Sequence, residues 1–162
     1  MDIQLIEYTD KYKKQVIKLF EDFQDYLISI DPLKRLRRMP EYGEHILSET
    51  LTDANKHKGK FYLLVENEAA IGLVAGLIKE QTDDDLLGAT KALKGRVTQL
   101  YLDERYRGQG LGKKLMLKIE AYFKENGCNY VLVEVFVPNV VAHSLYNNLG
   151  FQDRDIDMIK EL

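Results

Sequence analysis

The chain has 162 residues, of which 45% are apolar and 30% charged, with a net charge of −3 and a single cysteine. That balance implies one domain with a real core and excludes a disordered chain. The mild acidity argues against nucleic acid or a membrane surface as general partners. The lone Cys128 excludes an internal disulfide framework, which suits a reducing compartment. No secretory leader or membrane-length apolar run is present in the sequence, so a cytoplasmic protein is expected. His45, His57 and His143 lie at no metal-ligand spacing, and no metal is expected.

In chain order, Ile3 to Tyr8 alternates as a short strand. Thr9 or Asp10 can cap a helix to about Ser29, with Val16, Phe20, Phe23 and Leu27 on one face and Asp31-Pro32 ending it. The basic run of Lys34, Arg35, Arg37 and Arg38 is either a solvated loop or a contact for an anionic substrate or partner. A second helix is expected from Glu41 to Asn55. Lys60 to Glu66 and Ala70 to Ile78 read as strands of a hairpin turning at Asn67-Glu68. Asp83-Asp84-Asp85 reads as an exposed turn, with attraction of a cationic substrate as the alternative. A strand from Arg96 to Leu102 leads through a glycine-rich turn into a helix with Leu111, Leu115, Ile119, Tyr122 and Phe123 as its apolar positions. That helix ends near Asn126-Gly127. Asn129 to Val137 is apolar enough for a central strand. A short helix from about Val140 to Asn148 and a last strand from Gly150 through Ile159 complete one mixed α/β domain.

The glycine-rich turn carries the chemistry. A strand, a turn Arg107-Gly108-Gln109-Gly110-Leu111-Gly112 and a helix start present unpartnered N–H groups to an anion, with the helix dipole behind them. A nucleoside-triphosphate loop requires a Ser or Thr after its lysine, but Lys113 is followed by Lys114. A dinucleotide fingerprint requires G-x-G-x-x-G, but the glycines fall at 108, 110 and 112.

Arg107-x-x-Gly110-x-Gly112 instead resembles the pyrophosphate-binding motif of the GNAT superfamily of acyl-CoA-dependent N-acetyltransferases. Asn139-x-x-Ala142-x-x-Leu145-Tyr146-x-x-x-Gly150-Phe151 is similar to that family's downstream motif at every fixed position, and Leu100 to Arg107 is like its strand into the turn. The clear resemblance covers about residues 96 to 158. It implies a GNAT fold: a mixed sheet of six to seven strands, splayed between its two central parallel strands, with about four helices. It also implies acetyl-CoA as cosubstrate and a small-molecule or peptide amine as acceptor, and it leaves a homodimer open.

By the same resemblance, the backbone of Leu100, Tyr101 and Leu102 would border the pantetheine arm, the Leu100 N–H acting as an oxyanion-type donor. Arg107, Gly108, Gln109, Gly110, Leu111, Gly112 and Lys113 would hold the pyrophosphate, and Asn139 would hydrogen-bond the cosubstrate. Tyr146 matches the family's acid for the leaving thiolate; its other reading is a core aromatic at helical spacing with Ala142 and Leu149. Glu134, twelve positions earlier in a Val-Glu-Val triplet, is a candidate base. As a base it would be exposed at a sheet opening or partly buried with a raised pKa; the other reading is a glutamate on the solvent face of the strand. Neither Thr98 nor Gln99 supplies the acid that many family members carry there. Cys128 is expected as a small packing residue and His143 as a surface histidine. A non-catalytic acyl-CoA-binding module is the competing class.

Overall fold

The computed structural model describes residues 2–162. Five strands form one sheet in the order β1-β2-β3-β4-β5: β1 Ile3–Glu7, β2 Lys60–Glu66, β3 Ala69–Lys79, β4 Lys94–Leu102 and β5 Tyr130–Val133. The first four pair antiparallel and β5 joins β4 in parallel. Helices α1 (Lys13–Ile30) and α2 (Tyr42–Lys56) cover one face, and α4 (Leu111–Glu125) and α5 (Val140–Asn148) pack on the other; α3 (Asp83–Gly88) is short and exposed.

Strand alternation sorts the core into these two layers. Phe61, Leu63 and Val65 of β2 meet Val16, Leu19, Phe20 and Leu47 of α1 and α2. Tyr62 and Leu64, one step out of phase, meet Leu115, Met116, Ile119 and Phe123 of α4. Phe123 is fully buried against two strand glycines. A methyl group on Gly95 would stand 2.3 Å from its Cγ, and one on Gly76 2.7 Å from its Cζ. Those two positions therefore set how closely α4 lies on the sheet.

Most of the expected elements form, but the C-terminal third differs. Among the described residues the sheet has five strands rather than six to seven; four helices flank it, and the short α3 is a fifth. β5 ends at Val133 and is an edge strand, not a central one, because the expected strand from Gly150 to Ile159 does not form. The chain after α5 is held along that helix instead. The Phe151 N–H donates to the Tyr146 carbonyl, the two rings lie 5.8 Å apart, and Asp153 meets His143 at 2.6 Å. Beyond it, Asp153, Asp155 and Asp157 bring carboxylates that suit a strand poorly, and Ile156, Met158 and Ile159 lie exposed. Asp83 to Asp85, expected as a turn, open α3 because Thr82 and Asp85 form a reciprocal capping box.

Candidate active site

The opening of the sheet begins at a β-bulge. Gln99 pairs with Ala75 and Val97 with Gly76, so Thr98 is an extra residue with no partner on β3. The parallel ladder between β4 and β5 runs from Lys94↔Tyr130 to Val97↔Val133 and stops at that point. Past the bulge, Gln99 to Leu102 pair with β3 alone.

The backbone direction of those residues follows from one hydrogen bond. The Asp103 N–H donates to the Ile71 carbonyl at 2.9 Å, and hydrogen-bonded pairs alternate along an antiparallel ladder. Tyr101 and Gln99 therefore turn their backbone groups towards β3, and Leu100 and Leu102 turn theirs to the side where β5 has ended. The Leu102 carbonyl faces the opening and accepts from Arg107 Nε at 3.2 Å.

The glycine-rich turn follows directly. Gly108 and Gly110 have φ of +78° and +77°, the left-handed region that side chains disfavour. Gly110 is the N-cap of α4 and supplies no side-chain cap, so the first N–H groups of the helix stay open to a ligand. The turn is anchored outside the opening, where the Tyr106 hydroxyl donates to Glu66 at 2.7 Å and Asp103 holds Arg105. That ion pair keeps the Asp103 carboxyl below the usual range. Lys113 is exposed on the first turn of α4. Arg107 is not a free cation: its guanidinium folds back over the rings of Tyr26 at 4.6 Å and Tyr101 at 5.8 Å. Gln109 sits exposed at the tip of the turn.

The two sequence motifs meet in space. A methyl on Gly112 would stand 3.2 Å from Leu145 Cδ2, which places α5 directly on the start of α4. Asn139 caps α5, its Oδ1 accepting from the Ala142 N–H at 3.2 Å, and is buried. Tyr146 is 6% exposed in the core layer that includes Leu100, Leu102, Leu111, Ala142 and Leu145. Burial pushes its phenol up to about 12. A proton is therefore retained there throughout the neutral range. Core aromatic and proton donor are compatible descriptions of this side chain.

Glu134 is exposed rather than partly buried. It lies just past the last β5 pair with 84% of its side chain open, and its Oε1 is ion-paired to the Arg96 guanidinium. Arg96 sits next to the last paired residue of β4, so the pair bridges the two strands where they part. Cys128 packs against the α4 layer, and burial raises its thiol. Lys34, Arg35 and Arg37 are exposed, and Arg38 is bound by Asp25 at 2.7 and 2.9 Å. Among the described residues no cluster of His, Cys, Asp or Glu could hold a metal ion, and no helix is long and apolar enough to cross a membrane.

Sequence reasoning missed Tyr26 and Arg96. Tyr26 meets Asn139 across 113 positions of sequence, a separation that leaves no local signal.

Comparison with known proteins agrees with this geometry. The chain is similar to an uncharacterized N-acetyltransferase of Methanocaldococcus jannaschii, 35% identical over 72 residues, which are 44% of this chain and 46% of that protein. It is also similar to the spermine/spermidine N(1)-acetyltransferase of Bacillus subtilis, 33% identical over 97 residues, 54% of this chain and 59% of that protein. The matched segment thus spans about half the length of these relatives. A solved mutant form of a Bacillus halodurans protein shares the fold with a TM-score of 0.83 at 18% identity, covering 100% of this chain and 99% of the other. The acetyltransferase (GNAT) family model matches residues 16–151. With both motifs joined at one opening in the sheet, the chain belongs to the GNAT acetyltransferase family.

Proposed function

We propose that the chain transfers an acetyl group from acetyl-CoA to a primary amine by direct attack within a ternary complex. The observation that carries this reading is the opening between β4 and β5. It offers a strand edge with no neighbouring strand at Leu100 and Leu102, next to an uncapped helix start at Gly110 to Lys113. An extended amide arm ending in a pyrophosphate fits that pair of features: the edge supplies backbone partners for amides, and the helix start supplies N–H groups for phosphate.

Acetyl-CoA supplies a thioester carbonyl and a thiolate leaving group. In the proposed roles, the Leu100 N–H donates to the carbonyl oxygen as charge develops on it. Tyr146 gives its phenolic proton to the departing sulfur as the C–S bond breaks and the N–C bond forms. Glu134 takes the amine's surplus proton directly or through water, with Arg96 holding the carboxylate at the strand ends. Asn139 and Lys113 bind the cosubstrate. The acceptor is a small-molecule or peptide amine. Polyamines are the first compounds to try, because the Bacillus subtilis relative is named for spermine and spermidine.

Thiol release from acetyl-CoA, followed across polyamines, aminoglycosides, amino acid derivatives and peptide N-termini, tests the reading. Saturable amine-dependent release is the expected result. Saturable acetyl-CoA binding without release on any amine favours an acyl-CoA-binding module instead.

Glu134→Gln tests the base. Replacement is expected to lower kcat at neutral pH by about 10²-fold while acetyl-CoA affinity holds. Wild-type kcat in the variant, with saturating amine and acetyl-CoA, removes Glu134 from proton transfer.

A further inference from the structure

The last turns of α1 cross the opening and touch both of its sides. Phe23 stacks on Tyr101 of β4 at 5.3 Å. One turn later, the Tyr26 ring lies under the Arg107 guanidinium at 4.6 Å, and its hydroxyl donates to Asn139 Oδ1 at 3.2 Å. Arg107 follows β4 and Asn139 follows β5, so one side chain joins the two segments that the bulge at Thr98 separates.

The hydrogen-bond inventory of Asn139 makes this contact consequential. A side-chain carbonyl has two lone pairs, and here Ala142 N–H takes one and Tyr26 O–H the other. The backbone N–H can only be met by an oxygen, so the amide cannot be flipped without losing the cap of α5. With Oδ1 saturated, the amide has only its Nδ2 donors left to offer a ligand.

We infer that Tyr26 is a positioning residue for the acyl donor, fixing Asn139 as a hydrogen-bond donor to a cosubstrate carbonyl and backing Arg107 with its ring. This rests on the reading that the opening takes acetyl-CoA. It adds a link from the α1 side of the sheet to donor binding.

The test is calorimetric titration of acetyl-CoA into the full chain, with thermal unfolding of each variant recorded alongside. Tyr26→Phe keeps the ring beneath Arg107 and removes the hydroxyl; it is expected to weaken binding about fivefold, the effect of one part-buried hydrogen bond. Tyr26→Leu also removes the ring and is expected to weaken binding by more than about tenfold. Asn139→Asp still caps α5 and accepts from Tyr26 but has no N–H to offer, and is expected to weaken binding more than Tyr26→Phe while the unfolding temperature holds. In an Asn139→Ala background, Tyr26→Phe should change affinity by less than about twofold, since the group it orients is gone. Wild-type affinity in Tyr26→Phe, or the same loss in both backgrounds, overturns the inference and leaves the acyltransferase reading standing. Absence of saturable acetyl-CoA binding by the wild type overturns both.

Discussion

Replacing Tyr146 with phenylalanine is expected to lower turnover with the true amine by about 10²-fold and to leave acetyl-CoA affinity nearly unchanged. The loss is set at the low end for a general acid because an alkyl thiol has a pKa of roughly 8.5 and can depart partly unassisted. Affinity holds because the ring, which packs among Leu100, Leu102 and Leu145, is retained and only the hydroxyl is removed. Single-turnover kinetics with saturating acetyl-CoA check the result, and unchanged turnover assigns Tyr146 to the core alone.

The same substitution changes the pH dependence of stability. Folding raises this phenol from 10 to about 12 by burial, so the native state holds its proton where the unfolded chain has released it. The resulting stabilisation is complete below pH 10 and is lost as pH rises towards 12, at about 1.4 kcal/mol per pH unit across that window. Tyr146→Phe removes that share of the alkaline decline. Tyr8, also raised to about 12 by burial and by Asp10, keeps a decline of the same sign in the same window. Urea unfolding of the two Tyr→Phe variants across that alkaline range separates the two contributions.

Phe123→Ala is expected to destabilise the fold by about 3 to 5 kcal/mol, the largest effect of any single substitution considered. The ring has no solvent exposure and rests on Gly95 and Gly76, so the cavity left behind is bounded by strand backbone that cannot collapse into it. Gly95→Ala in the intact protein overpacks the same spot and should cost about 1 to 3 kcal/mol. Combined with Phe123→Ala, the added methyl occupies vacated space, and the two effects should fall short of additivity by about 1 kcal/mol or more. Strict additivity in denaturant unfolding rules out the contact as the source of either loss.

The proposed roles depend on this packing. α4 carries the open N–H groups at one end and Phe123 near the other, so its height above the sheet sets where those donors stand relative to Leu100. Losing Phe123 should therefore weaken donor binding as well as stability.

What the sequence determined by itself was whatever is local. The alternation of Phe61, Leu63 and Val65, the stripe of Leu115, Ile119 and Phe123, and the glycines at 108, 110 and 112 each act through neighbours a few residues away. β2, α4 and the turn were legible for that reason. The Asn139 to Phe151 motif carried α5 to its observed bounds because its cap, Asn139, lies in the motif itself. Tertiary structure decided the rest. The bulge at Thr98 depends on the register of β3, and the length of β5 depends on whether a strand follows α5. The apolar run to Val137 looked central, but a strand is extended only as far as a neighbour pairs with it, and β4 turns away at Val97. Glu134 became exposed and ion-paired for the same reason. Tyr26, an ordinary aromatic on an amphipathic helix by its sequence, acquired partners at Arg107 and Asn139 only when α1 crossed the opening. Backbone conformation and helix caps are short-range forces and leave a local pattern; strand register and side-chain pairing across the sheet arise from contacts far apart in sequence and leave none.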